Sequence, residues 1–221
     1  MGMRALVIGA TGLTGGFVVR ELLASDIYEQ VTVVVRRPLD VKHHKLNQIE
    51  LDWERIETAG EEFQGVDDLF SCMGTTIKQA GSREQFRKVD LEYPRLAARL
   101  AYEHGARQLL AISAMGADAS SRIFYNRVKG EAEQSLMDIG YPSLHLFRPS
   151  LLLGKRDQRR AGEEAGAVVM RALDPILKRW GTGYRAMPAS ILARAMVRVA
   201  ATRTGGTHVY PNDIIRVIGE G

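Results

Sequence analysis

Short apolar runs with little polar alternation recur along the chain, separated by longer stretches whose apolar positions fall three and four residues apart. The runs 5–8, 31–35, 66–72, 109–113, 144–147 and 207–210 predict strands, with a weaker one at 48–51. Runs that do not alternate suit strands covered on both faces, the pattern of a parallel sheet. Helical spacing lies between them. Phe17, Leu22 and Leu23 follow a first glycine turn, and Phe86, Val89, Tyr93, Leu96, Ala97 and Leu100 mark one face of a helix over 82–104. Ser82 and Gln85 form a capping-box pattern at its start. Pro94 cannot donate to the Asp90 carbonyl, so a kink or a helix start is expected there. A further helix is predicted over 119–138, ending near Gly140, and a late one carries Ile191, Leu192, Ala195, Met196 and Val199 on one face. Strand–helix alternation predicts an α/β fold with a doubly wound parallel sheet. Right-handed crossovers then gather the strands' carboxyl ends along the edge where ligands bind. No repeat or linker divides the chain, so a single domain is expected, with 152–187 as a small C-terminal lid over the substrate.

Composition narrows the function classes. The 221 residues are 45% hydrophobic and 25% charged, an ordinary globular balance. Cys72 is the single cysteine, which excludes an internal disulfide and a cysteine-rich metal site. The apolar run 5–8 is too short for a signal-peptide core, and no stretch suits a bilayer, so a cytoplasmic location without a membrane partner is expected. The net charge is +4, with nine Lys/Arg against four Asp/Glu in 148–185. No aromatic-rich basic motif accompanies that excess, so nucleic acid is not an expected partner. His43 and His44 lack further ligands at suitable spacing and read as a solvated loop, and no metal is expected.

The turn Gly9-Ala10-Thr11-Gly12-Leu13-Thr14-Gly15 follows the first strand and opens the first helix. In a Rossmann-type unit Gly9 makes the tight turn, Gly12 lets the backbone approach a pyrophosphate, and Gly15 lets the helix sit close on the strand. The free amides and positive dipole end of the helix then face the phosphates, with Thr11, Leu13 and Thr14 completing the cradle. After the second strand, where an NAD site would place an acid for the ribose hydroxyls, stand Arg36 and Arg37. Guanidinium groups suit a 2′-phosphate, so NADP(H) is expected over NAD(H).

Ser113 ends the fourth strong strand run, Tyr125 follows twelve residues later, and Lys129 comes four after that. Tyrosine and lysine at i and i+4 share a helix face. A free phenol, with a pKa of about 10, is a poor base at neutral pH. A neighbouring ammonium favours the phenolate, so such a tyrosine can give a proton to a carbonyl or take one from an alcohol. Ser113 would hydrogen-bond the same oxygen, and Lys129 would also hold the nicotinamide ribose.

The ordered set Gly9–Gly15, Ser113, Tyr125 and Lys129 resembles the short-chain dehydrogenase/reductases. The glycine turn and Arg148-Pro149-Ser150 are similar to the extended, epimerase-like branch. Cys72-Met73-Gly74-Thr75-Thr76, Phe86-Arg87-Lys88-Val89-Asp90 and Tyr125-Asn126-Arg127-Val128-Lys129-Gly130-Glu131 resemble the Tat-interacting oxidoreductase group and its bacterial relatives. The resemblance spans residues 4 to about 200. It implies NADP(H) binding and a Ser-Tyr-Lys site, with no settled substrate. It also implies that Asp52 meets the adenine, that Cys72, Met73 and Gly74 line the cofactor under its ribose, and that Pro149 and Ser150 lie near the nicotinamide. The Tyr–Lys helix and the segment 82–104 pair subunits in many relatives, which implies a homodimer. One departure stands out: where many relatives carry a Val-Asn pair, this chain has Val89-Asp90. Asp90 either replaces the asparagine in a proton relay through water or caps the helix beside Pro94.

Cys72 reads as a small buried hydrophobe rather than a nucleophile. Trp53 either packs near the adenine or closes the core. Leu152, Leu153, Trp180, Tyr184 and Met187 either wall a substrate pocket or form lid core, and Lys155, Arg156, Arg159 and Arg160 read as exposed. Two function classes follow. The first is an enzyme that transfers hydride between NADP(H) and a small carbonyl or alcohol substrate, with nucleotide-sugar epimerisation or dehydration as a variant. The second is a non-catalytic NADP(H) sensor.

Overall fold

The structure, a computed structural model, describes residues 2–154 and 185–221. All the strong apolar runs become strands: β1 (Met3–Ile8), β2 (Tyr28–Val35), β4 (Asp68–Ser71), β5 (Gln108–Ile112), β6 (Ser143–Arg148) and β7 (Gly206–Pro211). The weaker run becomes β3 (Leu46–Glu50). They form one seven-stranded sheet in the order β3-β2-β1-β4-β5-β6-β7, and every ladder is parallel. The order reverses between β1 and β4, so a crevice opens at their carboxyl ends.

Two layers of helix cover the sheet. On one face α1 (Leu13–Ala24), α4 (Ala189–Thr202) and α5 (Asn212–Glu220) bury Val18, Leu22, Leu192, Met196 and Ile215 against Val7, Val33 and Phe70. On the other, α2 (Tyr93–Glu103) and α3 (Phe124–Met137) bury Ala97, Ala101 and Leu136 against Leu6, Leu69 and Leu109. Trp53 belongs to this second core, tilted against Tyr93 at 5.7 Å between ring centroids. That places it in the core at the start of a 3-10 helix capped by Asp52, whose side chain accepts the Glu54 N–H.

The helical segment expected over 82–104 is interrupted. Ser82 caps an α-helical turn, Arg83–Arg87, by accepting the Gln85 N–H at 3.0 Å. A π-helical turn, Lys88–Glu92, follows, and α2 begins with Pro94 in its first turn. A proline at a helix start loses no bond that an interior residue would make, and the wider π turn absorbs the missing donor. The helix expected over 119–138 begins only at Phe124. Asp118 instead organises a loop: its carboxylate accepts the Ser120 N–H and hydroxyl, and its own N–H bonds the Asn126 carbonyl. Those local bonds compete with helix formation. Of the expected lid, Leu152–Leu153 pairs in parallel with Met187–Pro188, and Met187 is buried. The remainder of that expectation, with Lys155, Arg156, Arg159, Arg160, Trp180 and Tyr184, lies outside the described residues.

Candidate coenzyme and reaction site

The glycine turn follows β1 directly. Gly9 has φ 78°, a left-handed conformation that suits glycine. A Cβ on it would lie 2.5 Å from the Cys72 carbonyl carbon, so the turn is pressed against the chain leaving β4. A Cβ on Gly15 would lie 2.2 Å from the Gly9 carbonyl oxygen, so the first turn of α1 sits directly on the end of β1. Gly12 is the N-cap of α1 and donates to the Gly9 carbonyl at 2.9 Å. No side chain caps α1 and no acid occupies its first turn. The helix's leading amides and positive end therefore face the crevice. Thr11 is exposed beside them and Leu13 half-buried, while Thr14 is buried with a hydroxyl that has no partner among the described residues.

The other candidate residues also follow strand ends. Arg36 and Arg37 stand exposed just after β2. Cys72, Met73 and Gly74 follow β4, with the Cys72 N–H bonded to the Ile8 carbonyl. Burial pushes the Cys72 thiol up to about 12, a poor nucleophile at neutral pH. Ser113 follows β5 and donates its N–H to the Phe147 carbonyl at 2.7 Å. Pro149 and Ser150 follow β6. The Pro149 carbonyl accepts the Met115 N–H, the Ser150 N–H reaches Asn212, and the Ser150 hydroxyl donates to the Arg185 carbonyl. The Asp52 carboxylate is spent on a local structural bond, the 3-10 cap.

Tyr125 and Lys129 lie one turn apart on α3, with the Tyr125 ring 5.6 Å from that of Phe86. The Ser113 hydroxyl is buried and without a partner among the described residues. Lys129 is buried, and its Nζ lies 2.7 Å from Oδ1 of the fully buried Asp90. The other Asp90 oxygen accepts the Thr75 N–H at 2.8 Å. Burial alone would pull the Lys129 ammonium down, but Asp90 first, with Tyr125 and Glu133, outweighs it and holds the ammonium above its ordinary range. Asp90 does not cap the helix beside Pro94: it sits on the π turn ahead of α2, accepts the Thr75 N–H and pairs directly with Lys129. A cavity of about 20 Å³ between Ser113, Asp90, Lys129 and Glu133 has room for one water.

Two features escaped the sequence reading, Glu133 and the role of Gly130, and a third residue, Gly74, gains a neighbour that reading did not predict. Glu133, one turn past Lys129, is buried and gripped by Arg148, with Nε 2.9 Å from Oε1. That carboxylate raises the Arg148 guanidinium above its usual range. Gly130 seats the Asp118 loop on α3: a Cβ there would lie 2.1 Å from the Ala119 nitrogen. The only signal was a glycine inside a helical pattern. Gly74 is exposed, and a Cβ on it would rest 3.5 Å from Asp90 Oδ1 and 3.7 Å from Lys129 Nζ.

The cradle and the unpartnered hydroxyls fit a dinucleotide. Backbone amides, small residues and a helix dipole suit a diphosphate at one end, and the Ser113 hydroxyl and the Lys129 ammonium lie together at the other. Among the described residues no helix is long and apolar enough to cross a membrane, and no cluster of metal-ligating side chains occurs.

Known proteins agree with this geometry. Residues 9–140 match a family described as NAD(P)H-binding. The protein HTATIP2 of Rattus norvegicus is 32% identical over 218 residues, covering 97% of this chain and 88% of its own. The protein FMP52 of Debaryomyces hansenii, named as mitochondrial, is 31% identical over 192 residues, 86% of this chain and 80% of its own. That name leaves the expected cytoplasmic location without support. Among solved structures, MoeE5 in complex with UDP-glucose and NAD superposes with a TM-score of 0.70 at 18% identity, over 98% of this chain and 81% of its own. The UDP-glucose 4-epimerase of Thermotoga maritima gives 0.71 at 15% identity, over 99% and 82%. A seven-stranded parallel sheet, a glycine turn under the first helix and these matches together make the chain a Rossmann-fold member of the NAD(P)H-binding family and a homologue of HTATIP2.

Proposed function

We propose that this chain is an NADP(H)-dependent oxidoreductase that transfers hydride to or from a small carbonyl or alcohol substrate. The observation that carries the reading is the buried Ser113 hydroxyl, unpartnered among the described residues, in one cavity with Lys129 at the sheet's carboxyl edge. A buried hydroxyl left without a partner is rare and calls for a ligand or water. The amides opening α1 bind the diphosphate, and Arg36 and Arg37, exposed and with no ion pair of their own among the described residues, take the 2′-phosphate. Cys72, Met73 and Gly74 line the ribose side, with Pro149 and Ser150 towards the nicotinamide and Asp52 beside the adenine. When bound, the coenzyme supplies or accepts the hydride.

The chain's own residues manage the proton. Ser113 donates a hydrogen bond to the substrate oxygen and fixes its lone pairs. Tyr125 Oη gives its proton to that oxygen as hydride reaches the carbonyl carbon, and takes it back in the reverse direction. Lys129 orients the ribose and faces the phenol from one helical turn away. Titration of wild-type protein with NADPH and NADH, followed by a carbonyl panel read by NADPH fluorescence, tests the reading. We expect NADPH to bind more tightly, and Tyr125→Phe to lower turnover by about a hundredfold or more with NADPH affinity within about twofold of wild type. Turnover unchanged in Tyr125→Phe removes the tyrosine from the chemistry. Coenzyme binding without turnover of any carbonyl by the wild type supports a sensor instead.

A further inference from the structure

Four ionisable groups meet behind the reaction site. The Lys129 ammonium faces Asp90, and the next carboxylate on α3, Glu133, is held by Arg148. Formal charge over these four is balanced. Asp90 cannot leave easily: one oxygen is tied to the Thr75 N–H, and its side chain is 0% exposed. Gly74 is exposed on the side of the crevice and lies directly over this buried ion pair, with no side chain of its own to add to the separation from a ligand lying across the strand ends. The π turn is what brings Asp90 inward, because it rotates residue 90 relative to a regular helix just before Pro94.

We propose that Asp90 is a positioning residue acting through Lys129, the counter-ion that holds the ammonium beneath Gly74 and cancels its charge, so that the oxidised, cationic nicotinamide meets no repulsion there. The inference rests on the coenzyme reading above. Reduced and oxidised coenzymes share their phosphates and differ by one positive charge on the ring. A fixed charge near the ring therefore shifts the affinity of the oxidised form relative to the reduced one. A chain with an uncharged residue at position 90 removes the carboxylate nearest Lys129, leaves only the more distant Glu133 facing it, and penalises the oxidised form. A chain that keeps Asp90 and loses Lys129 does the opposite.

The test is a set of dissociation constants for NADP+ and NADPH, measured by calorimetry on wild type, Asp90→Asn, Lys129→Met and the double variant. No substrate is needed. Asparagine keeps an acceptor for the Thr75 N–H, so the loop survives the change. We expect Asp90→Asn to raise the ratio of the NADP+ to the NADPH dissociation constant by about tenfold. Lys129→Met should lower it, although both affinities fall, and the double variant should return it near the wild-type value. Should Asp90→Asn prove poorly folded, the Lys129→Met and double-variant ratios still decide. An equal weakening of both coenzymes by Asp90→Asn, or a ratio that stays fixed in all variants, overturns the inference and leaves the coenzyme reading intact. Failure of the wild type to bind either coenzyme overturns both.

Discussion

The two ends of the same sheet treat buried polar groups in opposite ways. At the amino end, Asp68 is completely buried, yet it accepts the Tyr28 hydroxyl at 2.6 Å and faces Arg203 through both oxygens. Beside it the Ser143 hydroxyl meets Gln108, His145 and the Thr204 carbonyl, His145 also reaches Tyr210, and Gln108 donates to the Ala200 carbonyl at the end of α4. At the carboxyl end, the buried hydroxyls of Thr14 and Ser113 have no partner among the described residues, and Asp90 Oδ1 meets the Lys129 ammonium at ion-pair distance. One end closes its polar groups on each other and fastens α4 to the sheet. The other keeps bonding capacity free, as a site must if a ligand is to use it.

Breaking the closed end should show mostly in stability. Asp68→Ala leaves the buried Tyr28 hydroxyl unpaired and releases Arg203, which holds a left-handed backbone at φ 54°. Urea denaturation should register a loss of about 3 kcal/mol, with NADPH affinity unchanged. A loss of coenzyme affinity at retained stability would couple the two ends and undo the contrast.

Acid should act on the same end. Burial first, and His208 second, lowers the pKa of His145 from 6.5 to about 4. The unfolded chain therefore takes up this proton before the folded one, so the stability from a neutral His145 is full above pH 6.5 and is lost as pH falls towards 4. A decrease of about 3 kcal/mol is expected across that window. His145→Gln should flatten it, and an equally steep curve in that variant would place the acid sensitivity elsewhere.

The smallest effects sharpen the comparison most, because they pair like with like. Ser143→Ala strips a shared partner from Gln108 and His145 and should cost about 1 kcal/mol. Ser113→Ala removes a hydroxyl that bonds nothing among the described residues and should leave thermal stability unchanged or slightly raised while turnover falls. Equal destabilisation by both serine variants would mean that the carboxyl end is as closed as the amino end.

Much of this was legible in advance, for local reasons. Strands buried on both faces need apolar runs, and each run became a strand. The roles of Gly9 and Gly15 are backbone geometry, and backbone geometry follows residue type at fixed offsets. The spacing from Tyr125 to Lys129 fixes a shared helix face wherever that helix goes. The late start of α3 was less legible, because Asp118, Ser120 and Ser121 form loop bonds that periodicity does not register. Asp90 was the least legible. Its direction depends on a π turn, and its partner lies 39 positions away in sequence on a different helix, read as the interval from 90 to 129.

The sequence by itself determined the doubly wound sheet, the glycine cradle and the order of serine, tyrosine and lysine, since each depends on contacts within a few residues or on a simple period. Tertiary structure alone decided which charges face one another behind the site, and which buried hydroxyls are satisfied. Those outcomes depend on how helices and strands distant in the chain dock, and on the low-dielectric interior that docking creates, where one carboxylate more or less changes what the neighbouring ammonium can do.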